Sequence, residues 1–282
     1  MAGVRDIRRR IRSVSNMQQI TKAMKTVAAA KLRKAQRKVI ASRPYTRQIQ
    51  EVLARLANAQ TEIEHPLLVK RPVQKVGYIV LTSDRGLCGA FNANIIRLTR
   101  GIVEMRRDAE VGLVTVGRKG HDYFIKRKYR ILAQFMGLGD DPNFNQANKI
   151  AEEAIKLYLA GELDEVYIIY SKFVSVLTQE PTAVKVLPIE PIAEETSRQY
   201  IFEPSPAQIL QRLLPVYLKS QIYSALLESK ASELGAQMTA MDSATENAKE
   251  MIEKLTLEMN RARQAAITTE ISEIVGGAAA LE

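Results

Sequence analysis

The sequence predicts an α/β fold in which a compact domain is inserted between two long helices that pair as an antiparallel two-helix coiled coil. Three observations carry this. Near both ends, apolar residues recur at alternating steps of four and three, the seam of a coiled coil. Glycine is absent between Val4 and Val76, and from Ala207 onward only Gly235 precedes Gly276 and Gly277. Between these stretches the period changes, and short β-branched runs alternate with helical ones.

The C-terminal stretch from Ala207 to Val275 is the longest. Its seam runs Leu227, Ala231, Leu234, Met238, Met241, Thr245, Ala248, Ile252, Leu255, Met259, Ala262 and Ala266. At about 1.5 Å per residue, some ~60 residues make a rod of roughly 90 Å. An apolar stripe of that length needs a partner equally long. The N-terminal stretch offers one through Ile7, Ile11, Val14, Gln18, Thr21, Lys25, Ala28, Leu32, Ala35 and Val39, continuing through Ser42, Thr46, Ile49, Leu53 and Leu56. Gln18, Thr21 and Lys25 make the middle of this seam polar. Either the stripe drifts, putting Ile20, Met24 and Val27 inside, or this part of the helix faces another protein. Pro44 and Pro215 predict a kink or break within the two helices. Antiparallel pairing follows because an inserted domain returns the chain to where it left; parallel dimerisation of two chains is the competing topology.

His65-Pro66 and Arg71-Pro72 mark the exit into a linker. Val76 to Thr82 reads as a buried strand, Ser83 to Asn92 as a loop and Asn92 to Arg107 as a helix. Val111 to Val116 is a second strand, ended by Gly117 and Gly120, and Tyr129 to Phe135 a third. Asn145 to Leu159 is amphipathic, Val166 to Phe173 a strand, and Thr182 to Ile189 an edge strand. Strands alternating with helices imply a mostly parallel, Rossmann-like sheet. The division expected is therefore 1–60, 73–192 and 207–282. Glu190 to Pro206 is acidic and proline-bearing, a linker or covering segment.

The chain of 282 residues carries a net charge of +10. Up to residue 50 the only acid is Asp6, against Arg5, Arg8, Arg9, Arg10, Arg12, Lys22, Lys25, Lys31, Arg33, Lys34, Arg37, Lys38, Arg43 and Arg47. Such a strip calls for an acidic partner: nucleic acid, anionic lipid or acidic protein loops. No stacking aromatics are interleaved, which disfavours single-stranded nucleic acid. Cys88 is the only cysteine, so no internal disulfide framework is possible. No apolar run approaches a membrane span, and no signal peptide is expected.

The segment SDRGLCGAFN follows a strand and precedes a helix. Its glycines suit either a phosphate cradle at a helix N-terminus or a tight strand-to-helix connection. It lacks both the GxxxxGK[ST] and the GxGxxG pattern. With His65 and His121 as the only histidines, neither a zinc set nor a nucleophile–base pair is apparent.

Three stretches together carry a resemblance: MAGVRDIRRRIRSVSNMQQITKAMKTVAAAKLRKAQ at the start, LTSDRGLCGAFN in the middle and RARQAAITTEISEIVGGAAALE at the end. The chain resembles, over its whole length, the gamma subunits of bacterial-type F1Fo ATP synthases. The resemblance implies a non-catalytic rotor shaft inside an α3β3 hexamer, rooted with an epsilon subunit on a membrane c ring. It would couple proton flow to ATP synthesis or hydrolysis at the β subunits. It also implies a peripheral place on the cytoplasmic face of the bacterial plasma membrane, no nucleic acid and no cofactor. Met24 and Lys25 then match a stretch facing an acidic lever of β. Arg263 and Gln264 match a pair that engages a loop of β or α. Tyr200 and Glu203 match a foot on the c ring and epsilon. Ile267, Ile271, Ile274 and Val275 would turn in an apolar bearing. A chloroplast-type dithiol insert is missing, since Cys88 stands alone.

Overall fold

The structure, a computed structural model, describes residues 3–59, 65–106, 108–190 and 205–279. In chain order the elements are α1 (Val4–Ala59), β1 (Lys75–Leu81), α2 (Phe91–Met105), β2 (Glu110–Val116), α3 (Arg118–Lys126), β3 (Ile131–Phe135), α4 (Phe144–Leu159), β4 (Glu165–Phe173), β5 (Gln179–Leu187) and α5 (Pro206–Ala279). They divide into two units, Met1–Val27 with Met238–Glu282, and Ala28–Gln237. Helices α1 and α5 contribute to both.

In the first unit α1 and α5 pair antiparallel. Thr21 lies against Thr245, their hydroxyl oxygens 2.8 Å apart, and Lys25 donates to Asp242. A step up α1 is thus a step down α5. Ile7, Thr21, Met241 and Ala248 are buried, and Gln18 and Lys25 half-buried. The seam keeps its spacing through the polar stretch. The drifting stripe is not adopted: Ile20 and Val27 stay 59% and 53% exposed, and Met24 is half-buried. The polar seam is tolerable because each hydroxyl has a backbone acceptor in reach, Thr21 at Gln18 and Thr245 at Met241, so one proton bridges the pair and the other goes to its own helix. Neither is left unsatisfied against the partner helix.

In the second unit the same two helices pair antiparallel through Thr46 with Ser220 at 3.1 Å and Gln50 with Tyr217 at 3.3 Å. Neither proline breaks its helix, since Pro44 lies inside α1 and Pro215 inside α5. Proline removes one N–H and crowds the preceding turn. Here the turns beyond are held by burial, with Ile49, Leu53, Leu56, Leu214, Leu218 and Ile222 in one apolar cluster.

The sheet order is β3-β2-β1-β4-β5. Strand β1 pairs parallel with both β2 and β4, β2 parallel with β3, and β4 antiparallel with β5. Alternation along β1 sorts its side chains. Ile79 and Leu81 join α1, α4 and α5 on one face, while Val76, Tyr78 and Val80 join Phe91 and Ile95 of α2 and Phe124 of α3 on the other. Covering both faces is what a parallel sheet requires. Helix α4 is started by a reciprocal cap between Asn143 and Gln146.

Most boundaries shift by one or two residues, and two stretches differ in kind. Gly117 and Gly120 do not simply end β2; they open α3, which the sequence reading left out. β5 begins at Gln179, before Pro181, because Pro181 sits on an edge strand where no ladder donor is needed on the outer side.

Candidate functional site

The segment after β1 explains its own glycines and those after β2. Three successive residues receive the first turn of α3. Thr82 Oγ1 accepts from the Gly120 N–H at 2.9 Å, the Ser83 carbonyl from the Lys119 N–H at 3.1 Å, and Asp84 Oδ1 from the Arg118 N–H at 3.1 Å. These are the donors that a helix start leaves without an internal partner. The approach is so close that a Cβ on Gly117, whose φ is +90°, would lie 2.1 Å from the Thr82 carbonyl oxygen. One on Gly120 would lie 2.8 Å from Thr82 Oγ1. Asp84 Oδ1 also accepts from the Gly137 N–H at 3.2 Å, so one carboxylate ties the ends of β1, β2 and β3 together.

Within the loop, Asn92 accepts from the Ser83 N–H at 3.0 Å and donates to Ser83 Oγ at 2.7 Å and to Cys88 Sγ at 3.2 Å. Cys88 is buried and free, and burial pushes its thiol above the usual range. The loop is therefore a strand-to-helix connection in which Ser83, Asp84, Cys88 and Asn92 bond within the chain. Gly89 takes a φ of +53° just before α2, as a tight strand-to-helix turn requires.

The basic face of α1 is partly spent inside the chain. Lys31 pairs with Asp140 at 2.7 Å, and Lys34 with Asp141 at 3.0 Å, an acid that Lys38 also contacts. The hydrogen bond from Lys31 holds Asp140 below its ordinary value, and that from Lys38 does the same for Asp141. Arg5, Arg8, Arg10, Arg12 and Lys22 are exposed and form no ion pair among the described residues.

Met24 is half-buried beside Lys25, whose ammonium reaches Asp242 across the seam. Arg263 and Gln264 are exposed on α5. They are not brought near Met24: Arg263 lies some ~30 Å along α5 from Asp242, at about 1.5 Å per residue. Continued at the register of Lys25 with Asp242, the start of α1 at Val4 falls opposite the neighbourhood of Arg263. Ala262 is half-buried, and every residue from Arg263 to Gly277 is exposed. Ile267, Ile271, Ile274 and Val275 are 48%, 56%, 72% and 62% exposed. The seam thus ends one position short of Ala266, where α1 runs out. Tyr200 and Glu203 lie outside the described residues.

No described helix is long and apolar enough to cross a membrane. The profile of the ATP synthase family matches residues 3–281. Among curated relatives, an ATP synthase gamma chain of Desulfitobacterium hafniense is 63% identical over 100% of both chains. One of Heliobacterium modesticaldum is 56% identical over the same share. Among solved structures, the central stalk and c ring of Tetrahymena thermophila mitochondrial ATP synthase aligns with a TM-score of 0.63 at 25% identity, covering 80% of this chain and 99% of that one. A Euglena gracilis mitochondrial ATP synthase chain aligns with a TM-score of 0.72 at 20% identity, covering 99% and 94%, which bears on the fold alone. Long terminal helices around a doubly covered sheet, matched over their full length at this identity, place the chain in the ATP synthase family, among its gamma chains.

Proposed function

We propose that this chain is the central rotor shaft of an F1Fo ATP synthase. It turns inside an α3β3 hexamer and couples proton flow through a membrane c ring to ATP synthesis or hydrolysis. The bond chemistry belongs to nucleotide sites on the β subunits, and this chain contributes differential contact with their open and closed states. A ligand or partner can shift such an equilibrium only by as much as it prefers one state. The chain needs no cofactor for this.

The observation that carries the reading is the end of α5. From Arg263 on, the helix has no partner among the described residues, yet it presents Ile267, Ile271, Ile274 and Val275 to the outside. An apolar stripe on a lone helix needs a surrounding surface. A sleeve of apolar side chains would make no directional bonds and would let the helix turn. Arg263 and Gln264, at the point where α1 ends, are the residues proposed to engage a loop of β or α. Lower on the shaft, Met24 and Lys25 would meet an acidic lever of β. The unpaired Arg8, Arg10 and Arg12 would add weak contacts, each exposed pair being worth about 0–1 kcal/mol. Weakness suits a surface that must release each site in turn.

Tyr200 and Glu203 would form the foot on the c ring and epsilon subunit. The functional division is 1–60 with 207–282 as shaft and 73–192 as the body above the foot. The complex would sit on the cytoplasmic face of the bacterial plasma membrane, with this chain peripheral. The test is direct. A hexamer is immobilised through β, and a label is fixed to this chain. Unidirectional rotation of the label on adding ATP is expected. A label that stays still while ATP is hydrolysed at the full rate would overturn the reading.

A further inference from the structure

A cavity of about 500 Å³ opens in the second unit outside the carboxyl ends of β1 and β2, walled on the far side by α5. Its size lies within the range of small-molecule sites. The charges around it are unequal in their commitments. Lys230, whose side chain is only 10% exposed, is taken up by Asp140 at 3.4 Å and Glu233 at 3.0 Å. Asp84 is taken up by the two backbone N–H donors described above. Arg85 and Arg118, both exposed at the cavity's edge, form no ion pair or hydrogen bond through their guanidinium groups among the described residues.

The two free groups sit on one scaffold. Arg85 follows Asp84, and Asp84 holds the Arg118 backbone N–H at 3.1 Å, so the loop is tied to the start of α3. Deeper in, Leu81, Leu138 and Leu226 supply apolar wall. From this juxtaposition we infer that the cavity is a binding site for a small phosphate-bearing organic molecule. The guanidinium forks of Arg85 and Arg118 take the phosphate, and the leucines take the organic body. Guanidinium matches phosphate geometry with paired N–H donors, which a single ammonium does not. The site does not depend on the proposed shaft contacts.

Calorimetric titration of the purified full chain tests this, with ADP, inorganic pyrophosphate and adenosine as probes. ADP is expected to bind more tightly than pyrophosphate, adenosine is expected not to bind, and affinity should fall with salt. Arg118→Gln and Arg85→Gln change exposed side chains and should leave the melting temperature in place. Each should weaken ADP about tenfold or more, the loss expected for hydrogen bonds to a charged group. Absence of ADP binding would overturn the site. So would binding that both variants leave unchanged, or adenosine binding as tightly as ADP.

Discussion

Glu228 shows how one atom of a helix can be a cost that the sequence does not reveal. Its Oε2 is buried without a hydrogen-bond partner, and the nearest cation, Arg43, is 4.0 Å from its other oxygen. Burial pushes the carboxyl above its ordinary value of 4.5, with Arg43 and Lys172 pulling the other way. Burial and the Glu228 charge together push the nearby Tyr170 phenol up to about 12. Between the ordinary and the raised value, the folded chain binds more protons than the unfolded one, so stability falls as pH rises through that window. Glu228→Gln should therefore raise the melting temperature at pH 7 by about 2 °C. The gain should vanish near pH 4, where both states are largely protonated. A variant less stable than its parent at pH 7 would show that the carboxylate is better solvated than its geometry indicates. Gly117 lies at the same scale and was visible as a turn residue. What makes it indispensable is the Thr82 carbonyl on another loop, which no local pattern names.

At the scale of elements, the seam of α1 and α5 was legible because a period of alternating four and three survives polar substitution. Gln18, Thr21 and Lys25 looked like a defect, and half the reading let the stripe slip to Ile20 and Val27. The structure keeps the register by matching a hydroxyl to a hydroxyl. Each of those hydroxyls also has an acceptor on its own helix, Thr245 at the Met241 carbonyl, 2.7 Å away, and Thr21 at that of Gln18, 3.1 Å away, for whichever proton does not bridge the pair. Replacing one should cost little, since its partner keeps a local acceptor. Replacing both, Thr21→Val with Thr245→Val, should be neutral or stabilising, because no polar group is then buried at that level. Thermal melts of the two single variants and the double would read this. Singles that each melt well below the parent, with a double that loses clearly less than their sum, would mean that the hydroxyl pair stabilises the seam beyond its local bonds. The missed helix α3 has a different cause. Its start, Gly117 to Gly120, lacks a capping side chain because residues 82–84 supply the cap from elsewhere in the chain.

For the whole molecule, the question is what the unpaired end of α5 is for. It contributes little to the chain's own folding, as every residue from Arg263 to Gly277 is exposed. A chain ending at Gly276 keeps Ile267, Ile271, Ile274 and Val275, and one ending at Ala262 loses them. Both should melt at the parent temperature. The longer should keep most of the ATP-driven proton pumping of a reconstituted complex. The shorter should bind the hexamer at least about tenfold more weakly, since burying each such side chain is worth roughly 1.5–3 kcal/mol. Equal binding by the two would remove the apolar bearing from the account.

The sequence by itself determined the two long seams, the strands between them and the chain's place in its family. These rest on periodicity and on long runs of matching residues, which are local and repeat. Only the tertiary structure decided where α1 stops covering α5, which cations of the basic strip are already taken by Asp140 and Asp141, and that the loop after β1 caps α3. Each of those depends on which distant groups come within hydrogen-bonding distance once the chain is packed, and spacing along a sequence carries no measure of that.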